Sequence, residues 1–159
     1  MELLDKDLPE GFSTPGEPKT PFTIVQPVSW GDLDAYGHVN NSVYLRWFEN
    51  ARFHYFELVG VVALHTQENK GPILAHTEVD FLAPVRFPEQ LLASVRVTRI
   101  GNSSFTMENA VWSLEQNRMC ARGKNVIVMV DYDAGAKKIR VPEPIRAAIR
   151  ALEGPGVED

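Results

Sequence analysis

The most regular pattern in the chain lies in residues 42–58, where Tyr44, Phe48, Ala51, Tyr55 and Leu58 recur at three- and four-residue spacing, and Val43 and Trp47 widen the apolar face. That period brings side chains to one side of an α-helix. Because the apolar residues cover more than a single stripe, the helix is expected to be buried on most sides, with a sheet curled round it. Asn40 or Asn41 is placed to cap its start, and Gly60 to stop it.

The remaining apolar positions follow strand patterns. Phe22, Ile24, Val25, Val28 and Trp30 predict a first strand over 22–30. After Gly71 and Pro72, the alternation of Ile73, Ala75, Thr77, Val79 and Phe81 with His76, Glu78 and Asp80 predicts a strand over 73–81. Further strands are predicted over 91–100, 105–114 and 120–130. Gly101 to Ser104 and Glu115 to Asn117 read as hairpin turns, and Pro84 and Pro88 break the longer connection. Short connections favour antiparallel pairing. Pro142 and Pro144 open a short amphipathic helix over 142–152.

One strand, a long helix and then four strands define an α+β domain in which an antiparallel sheet of five strands wraps one central helix. The single domain is expected over 21–153. Pro9, Gly11, Pro15, Gly16 and Pro18 among charges predict a flexible lead-in over 1–20, and Gly154, Pro155 and Gly156 predict a frayed tail over 154–159.

Composition narrows the classes. A chain of 159 residues suits one domain, and a net charge of -5 gives no general attraction for nucleic acid or for anionic lipid. No apolar run approaches the roughly 20 residues of a spanning helix, and the N-terminus lacks the basic and apolar blocks of a signal peptide. A cytoplasmic location with no membrane partner is therefore expected. The single cysteine, Cys120, excludes an internal disulfide and suits a packing role in an alternating strand. His38, His54, His65 and His76 form no close ligand pair, so no metal site is expected.

The chemistry concentrates in Trp30-Gly31-Asp32-Leu33-Asp34-Ala35-Tyr36-Gly37-His38-Val39-Asn40-Asn41, directly before the long helix. Two acids, two glycines, a histidine and two asparagines gather where a helix start exposes unpaired N–H donors, which is an arrangement that builds sites.

This stretch, continued through Ser42-Val43-Tyr44-Leu45-Arg46-Trp47-Phe48-Glu49, resembles the opening motif of hotdog-fold acyl-CoA thioesterases of the 4-hydroxybenzoyl-CoA thioesterase-like family. Val79-Asp80-Phe81-Leu82-Ala83-Pro84-Val85-Arg86 resembles the family's next strand, and Ile100-Gly101-Asn102-Ser103-Ser104-Phe105 its central hairpin. The likeness runs from about residue 22 to residue 131. It implies a hotdog fold and hydrolysis of an acyl-CoA or acyl carrier protein thioester without a cofactor. It further implies a site between two subunits of a homodimer or a pair of dimers. Asp34 takes the place of the family's catalytic carboxylate, acting as nucleophile or as base for water. The backbone N–H of Asn41 takes the place where the thioester carbonyl is polarised, and oriented donors of that kind are worth roughly 3 to 4 kcal/mol of barrier.

Each candidate has a plainer role beside the functional one. Asp34 could simply cap the loop before the helix. Asp32 is expected to bond loop amides and hold the turn, and Gly37 to supply a positive φ or a close approach. His38 is a structural or site-lining residue under the thioesterase reading. It is the acid or base under a dehydratase alternative, which hotdog relatives also allow. Asn40 holds water or substrate, or caps the helix. Glu49 is a possible second carboxylate, although Arg46 and Arg52 at helical spacing favour an ion pair. Arg86, Arg99, Arg122 and Lys124 are the basic residues near strand ends that could meet the phosphates of coenzyme A, with solvated surface charge as their default. A non-catalytic module that binds acyl thioesters is the third reading, since a fold does not fix an activity.

Overall fold

The computed structural model describes residues 22–158; the expected lead-in over 1–20 lies outside them. The elements run β1 (Phe22–Pro27), α1 (Asn41–Leu58), α2 (Val61–Glu68), β2 (Lys70–Phe81), β3 (Gln90–Ile100), β4 (Ser104–Ser113), β5 (Arg118–Asp131), β6 (Lys137–Lys138) and α3 (Glu143–Glu153). The strands form an antiparallel sheet in the order β1-β3-β4-β5-β2, with the two-residue β6 added beside β5. Five main strands curled round one long helix make the hotdog fold that the motifs imply.

Register explains how the sheet carries the helix. Ile24, Ala93, Val111, Ala121 and Phe81 form one row across the five strands. Facing it, α1 buries Val43, Tyr44, Trp47, Phe48, Ala51, Tyr55 and Phe56. Gly123 on β5 is what permits this approach. A Cβ there would lie 2.6 Å from Phe48 Cε2 and 2.7 Å from the Glu78 carbonyl oxygen. The apolar core then divides along α1. One cluster, with Val39, Val43, Trp47, Val85 and Leu91, lies under the N-terminal half, and another, with Tyr55, Phe56, Met107, Ile127 and Ile149, under the C-terminal half.

The structure corrects several expectations. The first strand ends at Pro27, and Trp30 enters a 3-10 turn over Trp30–Asp32 with its ring exposed. α1 is buried on one face only. Leu45, Phe53 and Leu58 on its outer face are exposed, because the sheet covers one side of the helix and nothing else among the described residues covers the other. α2 has no counterpart in the sequence reading, since its eight residues bury only Val61 and so carry no apolar stripe. β2 begins at Lys70, before the predicted start. Pro72 is tolerated inside it because, among the described residues, β2 pairs only with β5 and leaves its other edge open.

Residues 154–158 of the tail are also ordered where fraying was expected. Among the described residues β1 covers β3 only as far as Val95, so the rest of that edge needs other partners. Glu153 Oε1 accepts from Val97 N–H at 2.8 Å. Glu158 then donates to the Thr98 carbonyl and accepts from Ile100 N–H, at 3.0 and 2.8 Å. Arg146 of α3 secures the same end by donating to the Gly101, Asn102 and Val141 carbonyls.

Candidate active site

The loop that presents Asp34 is built almost entirely from its own residues. Leu33 and Val39 form an antiparallel bridge, and Asp34 N–H donates to the His38 carbonyl at 2.7 Å. Gly37 closes the turn with a φ of 75°, a conformation that glycine adopts without a Cβ clash. Val39 is buried and donates its N–H to the Val85 carbonyl, which fastens the loop to the body of the domain. Inside the turn, Asp34 Oδ1 accepts from Tyr36 N–H at 2.8 Å and His38 N–H at 3.3 Å. This is an Asx-type turn, and it fixes the direction of the carboxylate. Oδ2 carries no hydrogen bond or ion pair among the described residues.

Asp32 and Asn40 support this loop. Asp32 Oδ2 accepts from Ser29 N–H at 2.9 Å, its carbonyl accepts from Asn40 N–H, and Arg46 lies 4.0 Å from Oδ1. Asn40 caps α1: its Oδ1 accepts from Ser42 N–H at 3.0 Å and from Ser42 Oγ at 2.8 Å. With the next N–H taken by the cap, the backbone N–H of Asn41 has no partner among the described residues. It stands at the positive end of the helix dipole.

Asp34, His38, Asn41 and Tyr44 line one open cleft of about 570 Å³, with Tyr36, Val39 and 81–84 as its walls. Asp34 and Asn41 therefore border the same space. Tyr44 is buried against Phe81 and Trp47, with ring centroids 5.1 and 4.9 Å away. Burial above all, with the Cys120 thiol adding to it, pushes its phenol pKa up to about 12, so the ring stays neutral.

Of the four cations expected to meet a phosphate, Arg86 touches a residue of the cleft lining. Its Nη2 donates to His38 Nε2 at 3.0 Å, which makes Nε2 the acceptor and leaves the ring proton on Nδ1. Arg122 is paired with Asp80 at 2.9 Å, beside Phe81 but engaged. Lys124 lies further along β5, opposite Glu78 and Glu108. Arg99 is six residues along β3 from the row through Phe81, about 20 Å at strand rise. Glu49 is exposed and away from the cleft. Neither expected ion pair to it forms: Arg46 turns to Asp32, and Arg52 turns inward to Asn125. Sequence reasoning did not identify Tyr36 and 81–84 as cleft walls. The similarity of residues 79–86 to a family strand was the available signal.

The fold and this loop define the class, and the family comparison agrees: the chain belongs to the thioesterase-like superfamily, whose pattern matches residues 28–149. At that level it is a thioester hydrolase. A thioesterase from Thermus thermophilus, solved in complex with coenzyme A and Zn, is 35% identical. It superposes with a TM-score of 0.73 over 83% of this chain and 93% of that one. An uncharacterized Bacillus subtilis protein, YsmA, is 31% identical over 74% of this chain and 79% of its own length. The chloroplastic acyl-acyl carrier protein thioesterase ATL3 of Arabidopsis thaliana is 24% identical over 73% of this chain, which spans 60% of that longer protein. Among the described residues no cluster of three or more metal-ligating side chains occurs, and no helix is long and apolar enough to cross a membrane.

Proposed function

We propose that this protein hydrolyses an acyl-CoA thioester to the free acid and coenzyme A, using Asp34 and the N-terminus of α1. The observation that carries this reading is the shared cleft: it is lined both by Asp34, whose carboxylate has one oxygen unengaged, and by Asn41, whose helix N–H has no partner among the described residues. The thioester carbonyl oxygen takes the Asn41 N–H, which stabilises the negative charge that grows there as the carbonyl carbon is attacked. Asp34 either draws the proton from the attacking water or attacks first and is released by water. Both routes end with the C–S bond broken, the acyl carbon bonded to a water oxygen, and the thiolate protonated. Arg86 is exposed beside His38 of the cleft lining, and a cationic donor there suits the phosphates of coenzyme A.

An acyl carrier protein thioester is the neighbouring alternative, in view of the plant relatives. Hydratase chemistry through His38 has less support, because Arg86 already occupies the Nε2 lone pair that such a base would use. The reading is completed by self-association. β2 is twelve residues long and, among the described residues, pairs on one side only, while Leu74 and Phe81 on it and Phe53 on α1 are exposed. A second copy joined along that edge would satisfy its backbone groups and cover the apolar residues. A cytoplasmic setting is consistent with the one cysteine being free and buried.

The test is thiol release from short, long and aromatic acyl-CoAs and from acyl carrier protein thioesters, by the wild type and by Asp34→Asn. Release that collapses in the folded variant supports the carboxylate mechanism. Unchanged release removes Asp34 from it, and no release from any coenzyme A ester moves the substrate to the carrier protein or the chain to a binding role. A monomer in sedimentation velocity would remove the β2 pairing.

A further inference from the structure

We propose that Glu89 is a positioning residue for the reaction: its carboxylate ties the β4–β5 turn to residues 84–86 and through them holds the Asp34 loop in place. The inference rests on the reading of the Asp34 cleft as the site of hydrolysis. Glu89 lies outside the cleft lining and acts through its neighbours.

The half-buried carboxylate gathers donors from two parts of the chain. Oε1 accepts from Arg86 N–H at 2.9 Å and Oε2 from Ser113 Oγ at 2.5 Å, while Gln116 Nε2 lies 3.1 and 2.9 Å from the two oxygens. Gln116 Nε2 also donates to the Pro84 carbonyl at 2.8 Å, and its backbone N–H to Ser113 Oγ at 3.1 Å. Bonds to an ionised acceptor are about twice as strong as neutral ones, so the carboxylate is the centre of this knot. Glu89 and Gln116 together fix both ends of the segment Pro84 to Arg86. That segment is what the Asp34 loop leans on. Pro84 is a wall of the cleft, the carbonyl of the fully buried Val85 accepts from Val39 N–H at 2.9 Å, and Arg86 Nη2 meets His38 Nε2 at 3.0 Å. His38 in turn closes the loop, taking Asp34 N–H on its carbonyl and giving its own N–H to Asp34 Oδ1. The carboxylate is also felt inside the cleft: burial first, then the Cys120 thiol and the Glu89 charge raise the pKa of the Tyr44 phenol. A shift of about 1 Å in a catalytic group costs on the order of a hundredfold in rate, so a contact that fixes the loop acts on turnover.

A neighbouring acid supplies the control. Glu115, on the same turn, accepts from Gln90 N–H at 3.0 and 2.9 Å and bonds nothing in 84–86 among the described residues. The experiment compares Glu89→Ala, Glu89→Gln and Glu115→Ala in the full chain, by two-dimensional amide NMR and by thiol release from the acyl-CoA that the wild type turns over best. In Glu89→Ala the amide resonances of Tyr36 and His38, the two donors to Asp34 Oδ1, are expected to shift, and kcat to fall about tenfold. Glu89→Gln keeps an oxygen for the Arg86 N–H and is expected to recover most of that loss, whereas Glu115→Ala should match the wild type in both readings. Resonances that stay in place in Glu89→Ala or move as far in Glu115→Ala, a kcat within about twofold of the wild type, or a Glu89→Gln no better than Glu89→Ala would each overturn the proposal. Where Glu89→Ala does not fold, Gln116→Ala releases the Pro84 carbonyl and is expected to move the same two resonances; unmoved, they overturn it. A wild type that releases no thiol sinks the hydrolase reading instead, and the resonances then decide by themselves whether Glu89 positions Asp34.

Discussion

Asp34 takes its two donors from Tyr36 and His38, two and four residues further along the chain, and Asn40 caps the helix through Ser42, two residues on. Arg52, nearer the middle of α1, leans on Asn125, which is steadied by Asn109 and Thr77 from other strands. At the N-terminal end of the helix a short stretch builds its own geometry. In its middle, the polar groups are satisfied only once the sheet has assembled. The contrast teaches that a local turn can hold a carboxylate in place with little help from the rest of the domain, whereas a buried cation is placed by the whole fold.

Substitutions can break each side of that contrast separately. The largest expected effect is on activity. Asp34→Asn is expected to lower kcat about a hundredfold or more, in the range for loss of a positioned base or nucleophile, with the melting temperature nearly unchanged. The amide oxygen still accepts from Tyr36 and His38, so the local turn survives; a parallel loss of stability in thermal unfolding would show that the turn depends on the charge.

Next is Gly123→Val, which drives a side chain into Phe48 and the Glu78 carbonyl and so strikes the helix–sheet contact on which both regions depend. Overpacking of this kind costs about 1 to 3 kcal/mol, and urea unfolding should place the variant near the upper end. Tyr55→Phe should come somewhat lower, at roughly 2 kcal/mol in the same assay. It removes the 2.8 Å donor to the buried Glu153 carboxylate, whose same oxygen keeps the Val97 N–H. Because Glu153 also holds Val97 N–H, hydrogen exchange should quicken along β3 near Val97 before it does at the Asp34 loop. The smallest effect is that of Asn40→Ala, about 1 kcal/mol for a lost cap, again by urea unfolding. It should loosen the α1 start and leave the Arg52 network intact.

How legible each region was follows from the same physics. The Asp34 loop could be read from the chain because its bonds span few residues, and Gly37, Asp34 and Asn40 are residue types with strong turn and cap preferences. The α1 pattern was legible too, because burial of one face imposes a helical period on Tyr44, Phe48, Ala51 and Tyr55. α2 was not, since only Val61 is buried and no periodic signal remains. Nor were the partners of the charges: Arg46 and Arg52 stand at ion-pair spacing from Glu49, yet one is drawn to Asp32 and the other to Asn125. Spacing along a helix allows a contact, but competing partners from elsewhere decide whether it forms.

The sequence by itself determined the order of the five main strands and the long helix, the turn around Asp34 and a cap at the start of α1, because each depends on short-range geometry and on the period of burial. Only the tertiary structure decided that 81–84 wall the cleft, that Arg86 meets His38, that the tail completes the β3 edge, and that Arg52 turns inward to Asn125. Those contacts join residues far apart in the chain. They depend on strand register and on which side of each strand faces α1, and a one-residue slip would send every such side chain to the opposite face.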